Sequence, residues 1–133
     1  MQEHNYNLQV FYEDTDPAKM VYHANYIRFM ERARTMWVQS KGFTLSGLAK
    51  DYGVQFIVRN IDINFVKPAI LEQKLVVKTV ISKLKRASII FNQEIHCNTL
   101  TSDSKICYAL VNVVCTNLEL KPVAIPENFR SLI

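Results

Sequence analysis

"DYGVQFIVRNIDINFVK", residues 51–67, contains a change of rhythm at Gly53. Before it, apolar residues recur at helical steps. After it, Ile61, Ile63 and Phe65 alternate with Asn60, Asp62 and Asn64. A period near 3.6 marks a helix with one buried face, and a period of two marks a half-buried strand. The chain therefore passes here from a helical part to a sheet.

Upstream, residues 25–40 carry Ile27, Met30, Ala33, Arg34 and Trp37 at steps of three and four. That stripe predicts a helix from about Asn25 to Ser40, with Asn25 as N-cap and Gly42 as the stop. "TLSGLAKDYG", residues 44–53, adds a short helical turn. "LQVFY", Leu8 to Tyr12, reads as a first strand, and His4 falls in a frayed terminus. Glu31 has Arg28 and Arg34 three residues away on either side, which suits a surface ion-pair ladder.

Downstream, Leu75, Val77, Thr79 and Ile81 form one phase of a strand. Ile89, Phe91 and Ile95 form one phase of the next. His96 falls on its polar phase, which predicts a surface imidazole. "ICYALVNVVC", residues 106–115, is apolar on both faces, as expected of a central strand or a subunit interface. No helical pattern separates these strands, so they should be antiparallel neighbours joined by short turns. The turns fall at Lys67–Ala69, Lys83–Arg86 and Asn98–Asp103. "PENFRSL" predicts a short last helix opened by Pro126. The expected class is α+β, a long helix against about five antiparallel strands.

The bulk numbers set limits. A chain of 133 residues fits one domain, 1–133, with a real core. No apolar run is long enough to span a membrane. "MQEHNYNLQV" lacks the features of a signal peptide, which predicts a cytoplasmic protein. Cys97, Cys107 and Cys115 have no C-x-x-C spacing and predict free, buried thiols rather than disulfides or a zinc site. The net charge of +4 is spread out, with a cluster at Lys83, Lys85 and Arg86. Such a cluster suits a small anionic ligand or a solubilising surface. The strands lack the dense basic and aromatic face that nucleic-acid binding needs.

Chemistry concentrates in "EDTDPAKMVYHANY", residues 13–26. Asp14 and Asp16 lie between a strand and a helix, and Pro17 restricts Asp16 to extended or turn geometry. A helix front leaves backbone N–H groups unpaired and carries a partial positive charge. Those amides can hold an oxyanion, and a nearby carboxylate can act as base or nucleophile. One oxyanion donor is worth roughly 3–4 kcal/mol, and a positioned base about 10²- to 10⁴-fold in rate. Aspartates before helices also serve as caps and turn formers, which is the expectation for Asp14. A metal site on Asp14, Asp16 and His23 lacks a fourth ligand at a suitable spacing.

"VFYEDTDPAKMVYHANYIRFMERART" resembles the signature region of the hot-dog-fold acyl-CoA thioesterases. It is most similar to the YbgC-like branch of the 4-hydroxybenzoyl-CoA thioesterase family. Tyr12, Asp14, Thr15, Asp16, Val21, Tyr22, His23 and Tyr26 carry the first motif, and Glu31, Arg32, Ala33 and Arg34 the second. "INFVKPAILEQKLVVKT", "RASIIFNQEI" and "LKPVAIPENF" extend the likeness over nearly the whole chain. The resemblance implies a helix wrapped by an antiparallel sheet, and a homodimer or homotetramer formed by sheet pairing. It implies acyl-CoA bound at the subunit interface as substrate, with no cofactor besides.

By resemblance, Asp16 is the catalytic aspartate that attacks the thioester or activates water. The His23 amide is the oxyanion donor, its imidazole lines the site, and Tyr22 is a pocket residue. Tyr26, Phe29 and Trp37 belong to core or interface. Lys83, Lys85, Arg86 and Ser88 are candidate contacts for the phosphate and pantetheine arm. The basic cluster equally suits an acyl carrier protein, and a non-catalytic binding module of the same fold also fits the residues. Lys19 stands where the family has glycine. Either the loop differs there or Lys19 takes a backbone angle that lysine disfavours.

Overall fold

The structure, a computed structural model, describes residues 2–98 and 103–133. Its elements run β1 (His4–Gln9), a 3₁₀ turn (Tyr12–Asp14), α1 (His23–Ser40), α2 (Leu45–Tyr52) and β2 (Val54–Phe65). They continue with β3 (Lys74–Leu84), β4 (Ser88–Asn98), β5 (Asp103–Asn117) and α3 (Glu127–Arg130). All strand pairs are antiparallel, in one five-stranded sheet of order β1-β3-β4-β5-β2. The helical and strand elements follow the sequence rhythm, with the five corrections below. The expected Asn98–Asp103 turn lies largely outside the described residues.

Strand β1 lies four residues earlier than its apolar run suggested. His4 pairs with Thr79 rather than fraying, and Phe11 and Tyr12 are exposed. The strand was hidden because its inward phase is His4, Tyr6 and Leu8, with two apolar residues alone to mark it. Helix α1 begins at His23, with Tyr22 rather than Asn25 at the cap position. Asn25 instead turns its side chain back, and its amide donates to the Asp14 carbonyl at 3.0 Å.

Strands β2 and β3 are not neighbours. β2 is an edge strand, and the connection after Phe65 crosses the sheet to reach β3. That crossing is tied to the front of α1. The Val21 amide donates to the Ala69 carbonyl at 2.9 Å, and the Ala69 amide donates to the Tyr26 hydroxyl at 3.0 Å.

Met30, Ala33 and Trp37 of α1 bury their side chains against the sheet. Trp37 meets Phe91 and Phe129 edge-on, with ring centroids 5.1 and 5.6 Å apart. A register shift between Val58 and Asn60 bulges β2. One extra residue reverses the side-chain phase. As a result Phe56 meets Phe129 at one end of β2, and Phe65 meets Tyr26 at the other.

The polar side chains depart from simple patterning. Arg34 does not join a ladder with Glu31. It turns inward, and its Nη1 donates to Gln93 Oε1 at 2.9 Å. Gln93 is fully buried, and its Nε2 donates to the Met30 carbonyl and to Thr79 Oγ1. His96 is buried, not a surface imidazole. β4 is a central strand, so its polar phase is flanked by Val76 and Lys105. His96 Nε2 lies 2.8 Å from Glu94 Oε1, and this bond holds the Glu94 carboxyl below its ordinary range.

All three cysteines are free and buried. Burial raises the Cys107 thiol from 9.0 to about 12 and the Cys115 thiol to about 11. The fold favours the neutral thiols, so their contribution is complete below the unfolded value near 9 and fades as pH rises through the folded values. Urea midpoints should therefore fall between about pH 9 and pH 11 in wild type, and fall less in Cys107→Ala. A thiol reagent at about pH 8 should leave Cys107 and Cys115 unreacted until the chain is unfolded.

Candidate active site

The loop between β1 and α1 is a miniature hairpin. The Tyr22 amide donates to the Asp14 carbonyl at 3.0 Å, Thr15 bridges Val21, and the Asp16 amide donates to the Met20 carbonyl at 2.9 Å. Asp14 is buried, and its Oδ2 accepts from the Phe11 amide at 2.9 Å. It is a structural acceptor, as its turn-forming residue type suggested.

Asp16 is half-buried. Its Oδ1 accepts from the Ala18 amide at 2.9 Å, which fixes the side chain in an Asx turn. Among the described residues no donor reaches Oδ2. The carboxylate lies near Tyr26. Burial pushes the Tyr26 phenol up, the Ala69 amide pulls it down, and Cys107 and Asp16 add smaller upward pushes.

Lys19 closes the turn with φ of +62°, the left-handed region that favours glycine. Its amide donates to the Asp16 carbonyl at 2.8 Å, and its carbonyl accepts from Leu71 at 3.1 Å. The lysine takes the strained angle, and the turn closes without glycine.

The front of α1 is open. Tyr22 makes no side-chain cap, and no acid stands in the first turn. Among the described residues none accepts from the His23 or Ala24 amides. The His23 ring is exposed between Tyr22 and Phe65, at centroid distances of 4.6 and 6.3 Å. The hairpin thus joins the Asp16 turn to the front of α1, where Tyr22 and His23 stand, while Tyr26, Phe29 and Trp37 are buried in the core. Phe65 was not anticipated at this place, because only the sheet crossing brings residue 65 beside residue 23.

The basic residues lie elsewhere. Lys83, Lys85 and Arg86 are exposed at the β3–β4 hairpin, and Ser88 opens β4. Arg130 Nη1 donates to the Lys85 carbonyl at 2.6 Å, and the Ile125 amide donates to the Arg86 carbonyl at 2.9 Å. The Asp16 loop is joined to the other end of β3, through Val10 with Gln73 and Met20 with Ile70. At about 3.3 Å per residue, β3 holds the two groups on the order of 30 Å apart within one chain. Among the described residues no cluster of three or more potential metal ligands forms.

The Thioesterase-like superfamily pattern matches residues 10–133. The chain is 37% identical over 128 residues to a Haemophilus influenzae protein named acyl-CoA thioesterase YbgC, covering 96% of this chain and 91% of that one. Its fold overlays the crystal structure of a probable thioesterase from Bartonella henselae with a TM-score of 0.85 at 35% identity, covering 94% of this chain and all of that one, 100%. It also overlays the 4-hydroxybenzoyl-CoA thioesterase of Pseudomonas sp. strain CBS-3 with a TM-score of 0.91, 18% identity and full coverage, 100%, of both chains. That second likeness shows the fold. The protein belongs to the thioesterase-like superfamily, and its α+β architecture is the hot-dog fold.

The left-handed turn at Lys19 supplies a local test. Lys19→Val should lower stability by about 1–2 kcal/mol, because a β-branched side chain crowds that angle. Lys19→Gly should stay within about 1 kcal/mol of wild type, strain relief offsetting added chain entropy. Denaturant titration of the two variants checks both.

Proposed function

We propose that this protein hydrolyses acyl-CoA thioesters to a free acid and CoA. One observation carries the reading. Asp16 has an unclaimed carboxylate oxygen beside a helix front whose first amides have no acceptor among the described residues. The thioester oxygen would rest on the His23 amide, and Asp16 would act on the carbonyl carbon directly or through a water. An attacking water gives a proton to Asp16 as the new C–O bond of the acid forms and the C–S bond breaks. Direct attack instead forms an acyl–Asp16 anhydride as the C–S bond breaks, and a water then opens that anhydride to the free acid. The thiolate takes a proton at the rim, where the exposed His23 imidazole and Tyr22 stand. The acyl-CoA thioesterase name of the Haemophilus relative supports CoA rather than a carrier protein as the leaving group. A CoA substrate supports a cytoplasmic protein.

The free edge supports a homo-oligomer. β2 spans twelve residues at the end of the sheet, with Ile57 and Val58 exposed. A long apolar edge strand is a template for pairing. Two copies of β2 paired antiparallel about a two-fold axis set the Val54 end of one beside the Phe65 end of the other. Ser88 stands two strands in from that edge, through Val114 and Ile57, or about 10 Å. In such a pair Lys83, Lys85, Arg86 and Ser88 of one copy approach the Asp16 loop of the other, and can hold the phosphates there.

Asp16→Asn should retain the far-UV spectrum and lose about 10²- to 10⁴-fold in kcat on an acyl-CoA panel followed with a thiol reagent. Equal rates for the two proteins would remove Asp16 from the chemistry. Ile57→Lys should keep the far-UV spectrum, give a smaller species by light scattering and lose activity with it. A smaller species of full activity would overturn the shared-site reading.

A further inference from the structure

A cavity of about 190 Å³ lies between α1, α2 and the helix-facing side of the sheet. Trp37, Val38, Phe56, Ile89 and Phe91 give it apolar walls, and Leu45 and Val58, both more than two-fifths exposed, lie at its mouth. Neither Asp16 nor His23 lines it. A dry cavity of about 150 Å³ holds a benzene ring, so this one takes a chain of about six carbons.

Arg34 also lines this cavity, and it is 9% exposed. Among the described residues its side chain makes one hydrogen bond, from Nη1 to Gln93, whose amide is oriented by Met30 and Thr79. Among the described residues no carboxylate lies within ion-pair distance of it. Its other nitrogens are not sealed off, since the sealed polar atoms without a partner among the described residues are His4 Nδ1 and Asn112 Oδ1. The Nε and Nη2 edge of the guanidinium thus has no partner among the described residues and keeps some accessible surface, in a residue that lines the cavity. That edge is the fork that grips a carboxylate through two parallel hydrogen bonds. Burial pushes the guanidinium down, and Glu31, which also lines the cavity, opposes this from beyond ion-pair distance. A buried guanidinium without a direct acid partner is costly, and an anionic ligand would relieve the cost.

We infer that this cavity receives the far end of the acyl group, and that this end carries a carboxylate held by Arg34. The substrate class is then the CoA monothioester of a dicarboxylic acid. The inference rests on the thioesterase reading and on β2 pairing. Eleven residues separate His23 from Arg34, about 16 Å along α1, which exceeds the reach of an acyl group of this size. Pairing of β2 edges brings the second copy's Phe65 end, and the helix front beside it, to the Phe56 and Val58 side of the cavity. The thioester then sits on one copy and the acyl terminus in the other.

The test compares adipoyl-CoA with hexanoyl-CoA, matched in length and differing in a terminal carboxylate. Calorimetry on the full oligomer of Asp16→Asn measures binding, and kcat/KM on wild type measures turnover. Adipoyl-CoA should be favoured at least about tenfold in both, and Arg34→Met should abolish the preference. Leu45→Trp, at the mouth, should weaken binding of both. Arg34→Lys keeps the charge without the fork and should lose most of the preference, which covers the case of a Met variant that does not fold. Equal affinity and rate for the two thioesters in wild type would overturn the inference and leave the thioesterase reading intact. That same result is expected if a carboxylate of the partner subunit already occupies Arg34. Arg34-dependent preference in binding without turnover of either thioester would sink the hydrolysis reading and keep the pocket. A preference that persists in both Arg34 variants would overturn the role of Arg34.

Discussion

Asp14 sets the geometry on which the site depends. Its carboxylate stops β1 by taking the Phe11 amide, and its carbonyl takes both the Tyr22 amide and the Asn25 side chain. One residue therefore fixes the end of a strand to the start of a helix. The arrangement that the proposed chemistry uses follows from that clamp. The hairpin between Asp14 and Tyr22 sets Asp16 opposite Met20, and α1 begins at His23 with its first amides uncovered. Leaving a buried carboxylate or amide without its partner costs about 1–3 kcal/mol, so the clamp is also a stabilising element.

The crossing connection is the second support. It places Ala69 between Val21 and Tyr26, and Phe65 beside His23. The apolar wall of the helix front thus comes from a residue more than forty positions away in the chain. Long-range placement of this kind gives the site its rigidity, because the loop cannot shift without breaking bonds to two other segments.

Much of the architecture was legible in the residues. Met30, Ala33 and Trp37 announced the buried face of α1, Thr44 and Gly53 bounded α2, and the alternation in β3 and β4 gave the inward phases. Asp16, Tyr22 and His23 were legible as a group because they are close in sequence. What escaped reading is what depends on the third dimension. β1 is mostly polar and owes its place to pairing with β3, not to its own pattern. Arg34 reads as a surface charge until Gln93, 59 residues away, is brought beneath it. The separation of the Lys83–Arg86 turn from Asp16 follows from strand order, which short-range periodicity does not encode.

The bulge in β2 has a consequence for how this strand can change over evolutionary time. The additional residue at position 59 is what lets Phe56 and Phe65, nine apart and of opposite parity, both turn towards the helices. Removing that one codon would leave the two rings eight apart and of equal parity, so an unbulged strand would still turn both towards the helices. Loss of one codon anywhere else between them would swing one ring to the opposite side of the sheet and empty its place in the core. A single-residue deletion is thus expected to be tolerated at the bulge and not at the regular positions of this strand, a restriction set by parity rather than by the identity of any side chain.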